Sequence, residues 1–177
     1  MPYKIVVTGP ESCGKTSLCN YLAIKYKGKM IPEYSRAYLA ENPENPDAGA
    51  IEKMGFQQER INNPVSVKHP VIFCDTDALN YWIWSMEIFK KRSESLEMLL
   101  ERNQADLYLL CSPDIPWFYD PFRQNPNDRD RLFKLYWQQI HKFKLPFCLV
   151  SGIGIQRYNR ARFFIENYFP EFRNFKL

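Results

Sequence analysis

GPESCGKT, residues 9–16, has the form G-x-x-x-x-G-K-[ST], with Gly9, Gly14, Lys15 and Thr16 at the fixed positions. Each residue type has a physical task. The glycines let the backbone turn tightly and bring its N–H groups against phosphate oxygens. Lys15 reaches outer phosphates as a point charge, and the Thr16 hydroxyl is placed for Mg²⁺. The helix that follows points its positive end at the same phosphates. Gly9, Glu11, Ser12, Cys13, Gly14, Lys15, Thr16 and Ser17 are therefore the expected nucleotide contacts, with ATP and Mg²⁺ as the expected cofactors. The flanks agree. YKIVVT (3–8) is a short β-branched run, and TSLCNYLAIKY (16–26) places Leu18, Tyr21, Leu22 and Lys25 at i, i+3, i+4 and i+7. Strand, glycine loop, helix is the setting this motif requires.

Working outward, 177 residues suit one domain with an ample core, so a single unit over 1–177 is expected. Hydrophobic residues make up 45% and aromatics 16%, a globular and unusually aromatic composition. A formal net charge of +4 fits a small polyanion such as ATP and does not call for nucleic acid. A core strand begins at once, so no signal peptide is expected, and no apolar run approaches a membrane span. Cys74, Cys111 and Cys148 lie in or at the ends of apolar runs and Cys19 inside the first helix, which reads as small buried hydrophobes. No C-x-x-C or Cys/His cluster suggests a metal centre, and the expectation is a reducing, cytoplasmic setting.

Apolar runs alternate with helical patterns. The runs are KIVVT (4–8), KMIPE (29–33), PVIFCD (70–75), DLYLLC (106–111) and PFCLVS (146–151). This predicts an α/β fold: a three-layer P-loop NTPase architecture, with a five-stranded parallel sheet flanked by helices and a lid. The segment 48–69 reads as helical, with Gly55 and Pro64 as weak points. In ALNYWIWSMEIFKKR (78–92), Leu79, Trp82, Ile83, Met86 and Phe89 form one helical stripe and Tyr81, Trp84 and Ile88 a second. A helix apolar on two faces is mostly buried, and one or two of its aromatics are candidates for lining a flat-ring pocket. SPDIPWFYDPFRQNPNDRDR (112–131) carries four prolines, four aspartates and three arginines, and the lid is placed at about 114–131. A helix and an aromatic, basic tail from about Arg157 are expected to pack back on the sheet.

Chemistry on a bound nucleotide needs an acid for Mg²⁺, a base or water-positioner, and positive charge on the moving phosphoryl. VIFCDTD ends an apolar strand in Asp75, the expected magnesium acid beside Thr16, facing the crevice at the strand's carboxyl end. Asp77, two residues on, is a second candidate for the site. Glu33 closes the second run, expected on the strand next to the P-loop, with Tyr34 beside it and Arg36 one turn later. Glu33 and Asp77 are rival bases, both also candidates for touching the acceptor, and Arg36 is the candidate for fixing an anionic or hydroxyl-rich group. Arg123, Arg129 and Arg131 are the lid cations, each with Asp128 or Asp130 at hand as an ordinary ion-pair partner.

Three classes compete. A GTPase switch wants N-K-x-D after a late strand; NQAD (103–106) lacks the lysine and precedes its strand. An AAA-type motor wants Asp-Glu at the strand end and a further helical lid domain, where this chain has DTD and stops at 177. A small-molecule kinase needs a compact core, an acceptor pocket and a lid, and candidates for all three are present. A regulatory P-loop ATPase is the alternative.

Together, GPESCGKTSL, EYSRAYL, FCDTDAL and ADLYLLCSPDIPWFYDPFR resemble the ribosylnicotinamide kinase domain of NadR-type NAD-biosynthesis proteins, in order from about residue 3 to residue 150. The resemblance implies an adenylate-kinase-like P-loop fold and transfer of the ATP γ-phosphate to the ribose 5′-hydroxyl of nicotinamide riboside, giving nicotinamide mononucleotide. By the same resemblance Gly14, Lys15 and Thr16 match the phosphate loop and Asp75 the strand-end acid. Glu33, Tyr34 and Arg36 match an E-Y-x-R block, Trp117 a tryptophan beside the nicotinamide pocket, and Asp120 and Arg123 the start of the lid. An indole face suits a cationic nicotinamide ring, and Trp117 or Tyr34 is expected to hold it. The adenylyltransferase domain and DNA-binding segment of the longer members have no counterpart in these residues. The expected partner is thus a small molecule, a nucleoside of this or another kind, with no nucleic acid and no membrane.

Overall fold

The computed structural model describes residues 2–63, 68–118 and 127–175. Strand β1 (Tyr3–Thr8) runs into the glycine loop and helix α1 (Lys15–Lys25). Then come β2 (Lys29–Ile31), α2 (Tyr34–Glu41), α3 (Ala48–Asn62), β3 (Val71–Asp75), α4 (Ala78–Phe89) and α5 (Glu94–Arg102). The chain continues through β4 (Leu107–Cys111), α6 (Arg129–Lys142), β5 (Phe147–Val150) and α7 (Ile155–Tyr168), and a short 3₁₀ turn, Pro170–Asn174, follows.

The five strands form one parallel sheet in the order β2-β3-β1-β4-β5. All five correspond to the five apolar runs. β3 and β4 are buried throughout and β1 nearly so, whereas β2 and β5 are partly open. That difference sets the order: the most apolar runs take the centre, and the short, mixed strands take the edges. One expectation changes as a result. Glu33 does not follow the strand beside β1, because β3 lies between β2 and β1.

Side chains alternate across the sheet and feed two cores. Ile5, Val7, Phe73, Leu107 and Leu109 pack with α1, α7 and Phe172 of the 3₁₀ turn. Val6, Ile72, Cys74, Tyr108 and Leu110 pack with α3, α4, α5 and α6. The C-terminal aromatic segment does fold back, with Phe172 against Tyr3, Tyr26 and Phe169.

Gly55 does not weaken α3. A Cβ there would stand 2.4 Å from Leu96 Cδ2 and 3.3 Å from Tyr81 Cβ, so its missing side chain lets α3, α4 and α5 close up. Pro64 and residues 119–126 of the expected lid lie outside the described residues. Residues 129–131, placed at the lid's end from the sequence, are the first turn of α6. Helix α5 and the body of α6 went unread in the sequence, though Leu132, Tyr136 and Ile140 recur at i, i+4 and i+8. No described helix is long and apolar enough to cross a membrane.

Candidate active site

The segments that follow β1, β2 and β4, with helices α2, α4 and α6, line one cleft of about 1000 Å³. Its floor is the glycine loop. Gly9 has φ 132°, and a Cβ on it would lie 2.7 Å from the Cys111 carbonyl oxygen at the end of β4, so glycine is required there. Gly14, at φ 76°, turns the chain into α1. Lys15 opens that helix and donates from Nζ to the carbonyls of Gly9 (3.0 Å) and Pro10 (2.8 Å). Burial opposes its charge, but Cys13, Glu33 and Asp75 outweigh that and hold its pKa above the usual lysine value. Cys13 is buried beneath the loop, and its Sγ lies 2.8 Å from the Pro10 carbonyl. Burial works against its ionisation too, yet Cys111 and Lys15 bring the thiol down to about 7.

Thr16 Oγ1 donates to Asp75 Oδ2 at 2.5 Å. The other oxygen, Asp75 Oδ1, is buried and has no hydrogen-bond partner among the described residues. Burial, with Glu33 adding, pushes this carboxyl above the usual range, while Lys15 and Thr16 pull the other way. A hydroxyl beside a carboxylate with an unsatisfied oxygen, at the mouth of a phosphate loop, is a hard-oxygen donor set that fits Mg²⁺. Among the described residues no group of three or more His, Cys, Asp or Glu could hold a metal.

The Asp75-Thr76-Asp77 turn sends its two acids to different places. Thr76 sits at φ 83°, a costly conformation for a β-branched residue and one common at functional sites. Asp77 is fully buried; its Oδ1 accepts from the Leu79 N–H (3.1 Å) and its Oδ2 from the Tyr108 hydroxyl (2.6 Å). Burial, with Glu59 adding, pushes it up to about 7. Asp77 thus caps α4 with both carboxylate oxygens engaged, and it is not among the residues that line the cleft.

Glu33 does line the cleft, at the head of α2. It accepts from Ser35 Oγ at 2.8 Å and lies 3.8 Å from Arg36 Nε. A buried amide network that sequence reading missed holds this turn. Gln58 Oε1 accepts from the Tyr34 N–H (2.7 Å) and the Tyr81 hydroxyl (3.1 Å), and Gln58 Nε2 donates to the Pro32 carbonyl and to Asn62 Oδ1. Asn62 in turn donates to the Thr76 carbonyl, tying the Glu33 and Asp75 turns together.

Beyond Glu33 the wall is one face of α4: Asn80, Ile83, Trp84, Glu87 and Ile88, at i, i+3, i+4, i+7 and i+8. Buried Tyr136 of α6 donates to Asn80 Oδ1 at its base. Asn80, Tyr136 and the 43–47 segment are site residues that sequence reading missed.

The aromatic expectations change. Tyr34 packs toward the α3–α4 core beside Tyr38, and Trp117 lies half-buried with the Arg129 guanidinium 5.9 Å from its ring centroid. Ile115 and exposed Phe118 line the cleft in place of Trp117. Among the lid cations, Arg129 Nη1 donates to the carbonyls of Ser12 (3.2 Å) and Ile115 (2.9 Å), so it is seated at the loop. Arg131 is held by Glu87 and Asp128. Asp120 and Arg123 lie outside the described residues.

Arg157 was missed as well. Nearly fully buried beneath the loop, it donates to the carbonyls of Cys13 (3.1 Å), Ser112 (3.0 Å) and Gly152 (2.9 Å) and pairs with Asp114.

Comparison with known proteins agrees with this geometry. The sequence matches the family described as AAA domain over residues 4–157. It is 24% identical over 133 residues to the trifunctional NAD biosynthesis/regulator protein NadR of Salmonella typhimurium, covering 72% of this chain and 32% of that protein. The chain thus spans about a third of the length of the curated relatives it matches. A crystallised NadR protein in complex with NR superposes with a TM-score of 0.72 at 21% identity, over 94% of this chain and 51% of that one. Thymidylate kinase from Candida albicans gives a TM-score of 0.66 at 14% identity, over 94% and 92%. The three-layer P-loop fold is shared with both structures.

Proposed function

The chain belongs to the AAA domain family, and from that premise we propose that it is an ATP-dependent kinase of a small nucleoside, with nicotinamide riboside as the acceptor. One observation carries the reading: a single cleft is lined by the phosphate loop with Lys15, by Thr16, whose hydroxyl reaches Asp75, and by Glu33 beside a wall that includes Trp84 and Ile88. Donor and acceptor sites are thereby adjacent. The similarity to NadR, one of whose structures is a complex with NR, supports the choice of acceptor.

In this mechanism the loop amides and Lys15 hold the outer phosphates, and Arg129 is placed to meet charge on the moving group. Mg²⁺, when held by Thr16 and Asp75, supplies further positive charge to those phosphates. Glu33 accepts the proton of the acceptor hydroxyl as that oxygen bonds to the γ-phosphorus, and the bond from phosphorus to the β-phosphate oxygen breaks to release ADP. Glu33, Glu44 and Asp47 line the cleft together with Arg36, a mostly acidic lining that suits an uncharged or cationic ring over a phosphorylated acceptor.

The test is ADP release from ATP and Mg²⁺ with a panel of nucleosides headed by nicotinamide riboside. Stimulation by that riboside, with its 5′-monophosphate as product, is expected. A rate indifferent to every acceptor would replace the kinase with a regulatory ATPase. Stimulation by a different nucleoside would keep the mechanism and change the substrate.

A further inference from the structure

Asn80 is the first residue of α4 to line the cleft. Its side chain is held from α6: the Tyr136 hydroxyl donates to Asn80 Oδ1, and Tyr136 itself is only 4% exposed. Burial, with the charges of Cys13 and Glu33 adding, pushes that phenol well above its usual value, so it keeps its proton and stays a donor. An amide side chain has an oxygen that accepts and a nitrogen that only donates. With the oxygen engaged by a buried tyrosine, the nitrogen is the end left over. Asn80 is half-buried on the cleft wall; its Nδ2 has no partner among the described residues and is not one of the polar atoms sealed in the core. It is an open donor held at one point of the cleft lining.

Its place along α4 indicates what it meets. β3 ends in Asp75, which Thr16 of the phosphate loop touches, and α4 starts soon after at Ala78. Cleft-lining positions on α4 therefore recede from the phosphates in order: Asn80, then Trp84, then Ile88, at steps of about 6 Å along the axis. The charges of Glu11, Cys13 and Glu33 all bear on the Tyr136 hydroxyl, which agrees with an Asn80–Tyr136 pair beside the loop and Glu33. The inference rests on the kinase reading above. There the reacting hydroxyl lies against Glu33, the flat ring belongs by Trp84, and the sugar joins the two. We propose that Asn80, oriented by Tyr136, donates a hydrogen bond to a secondary hydroxyl oxygen of the acceptor's sugar, and so takes part in selecting the acceptor. Asn80 is then a binding residue, and Tyr136 a positioning residue that acts through it. The cleft reads the sugar by its hydroxyls, whatever ring the sugar carries.

The test is steady-state kinetics with the nucleoside that stimulates ADP release and with its 2′-deoxy and 3′-deoxy analogues. Asn80→Ala is expected to raise KM for the nucleoside about three- to tenfold, the range for losing one neutral hydrogen bond, with KM for ATP within about twofold of wild type. The wild type is expected to disfavour at least one deoxy analogue by a similar factor in kcat/KM, and Asn80→Ala to lose that preference. Tyr136→Phe is expected to raise KM for the nucleoside in the wild-type background and to change nothing further in Asn80→Ala. Unfolding midpoints establish that the variants are folded; if Asn80→Ala is not, Asn80→Leu, of similar size and without a donor, takes its place. Three results overturn the inference: wild-type KM and deoxy discrimination in the folded Asn80 variant, an equal rise in KM for ATP and nucleoside, or an equal effect of Tyr136→Phe with and without Asn80. Failure of the kinase reading shows differently: no nucleoside then stimulates ADP release, and the inference falls with it.

Discussion

Lys15 and Arg157 address the same loop from opposite sides. Lys15 spends its hydrogen bonds on the Gly9 and Pro10 carbonyls, on the face where phosphate is expected. Lys15→Ala should therefore leave the unfolding midpoint nearly unchanged while kcat for ADP release falls by about 10²-fold or more; an unchanged rate would remove Lys15 from the mechanism. Arg157 is the loop's buried support. Replacing it by methionine strands the carbonyls of Cys13, Ser112 and Gly152 together with Asp114. Asp114 is exposed and can turn to water, so the cost comes from the carbonyls left without a donor, about 1–3 kcal/mol. A urea titration of Arg157→Met should show that loss, with a raised KM for ATP. Lys15 is legible because its meaning lies in its near neighbours. Arg157 is not, because the carbonyl it reaches in the loop is 144 residues away in sequence.

At the scale of elements, α4 carries the largest share of the design. Its N-terminus is capped by Asp77, and its first N–H, that of Ala78, donates to Glu59, which also pairs with Lys4 at 2.8 Å. One face turns to the cleft and another packs on α3 through Gly55. Gly55→Ala gains up to about 1 kcal/mol of helix propensity but overpacks a contact where such changes cost about 1–3 kcal/mol. Tyr81 Cβ sits on a fixed backbone, so a net loss near 1 kcal/mol is expected from urea unfolding, and a net gain would show that Leu96 simply rotates away. The C-terminal end of α4 meets α6 through Glu87. The Arg131 hydrogen bond holds this carboxyl below its usual value of 4.5. A lowered folded-state pKa means that the contact contributes stability above about pH 4.5, and that this is lost as pH falls below it. Unfolding midpoints from pH 7 to pH 3 should therefore drop less steeply on the acid side in Glu87→Gln than in wild type. Glu87 is partly open to solvent, so the effect is small.

Across the whole molecule, the cleft is assembled from the segments after β1, β2 and β4 with α2, α4 and α6, so a ligand there ties both halves of the sheet together. Nucleotide at about 100 times its Kd adds about 2.7 kcal/mol of stability. For a chain of this size that is a rise in Tm of roughly 5–10 °C. Asp75→Asn should abolish the part of that rise that depends on Mg²⁺ and keep the part that does not; an undiminished Mg²⁺-dependent rise would move the ion elsewhere. The sequence by itself determined the sheet's five strands, the phosphate loop and the acid at the end of β3. These are local patterns of hydrophobic period, glycine conformation and charge, readable within a few residues. Tertiary structure alone decided the rest. It put β3 between β1 and β2, turned Asp77 into a helix cap while leaving Asp75 at the loop, swung Trp117 to Arg129, and brought Gln58, Asn80, Tyr136 and Arg157 to their partners. Those outcomes depend on which strands are apolar enough to be covered on both faces. They depend also on hydrogen bonds between groups dozens of residues apart, which no local pattern encodes.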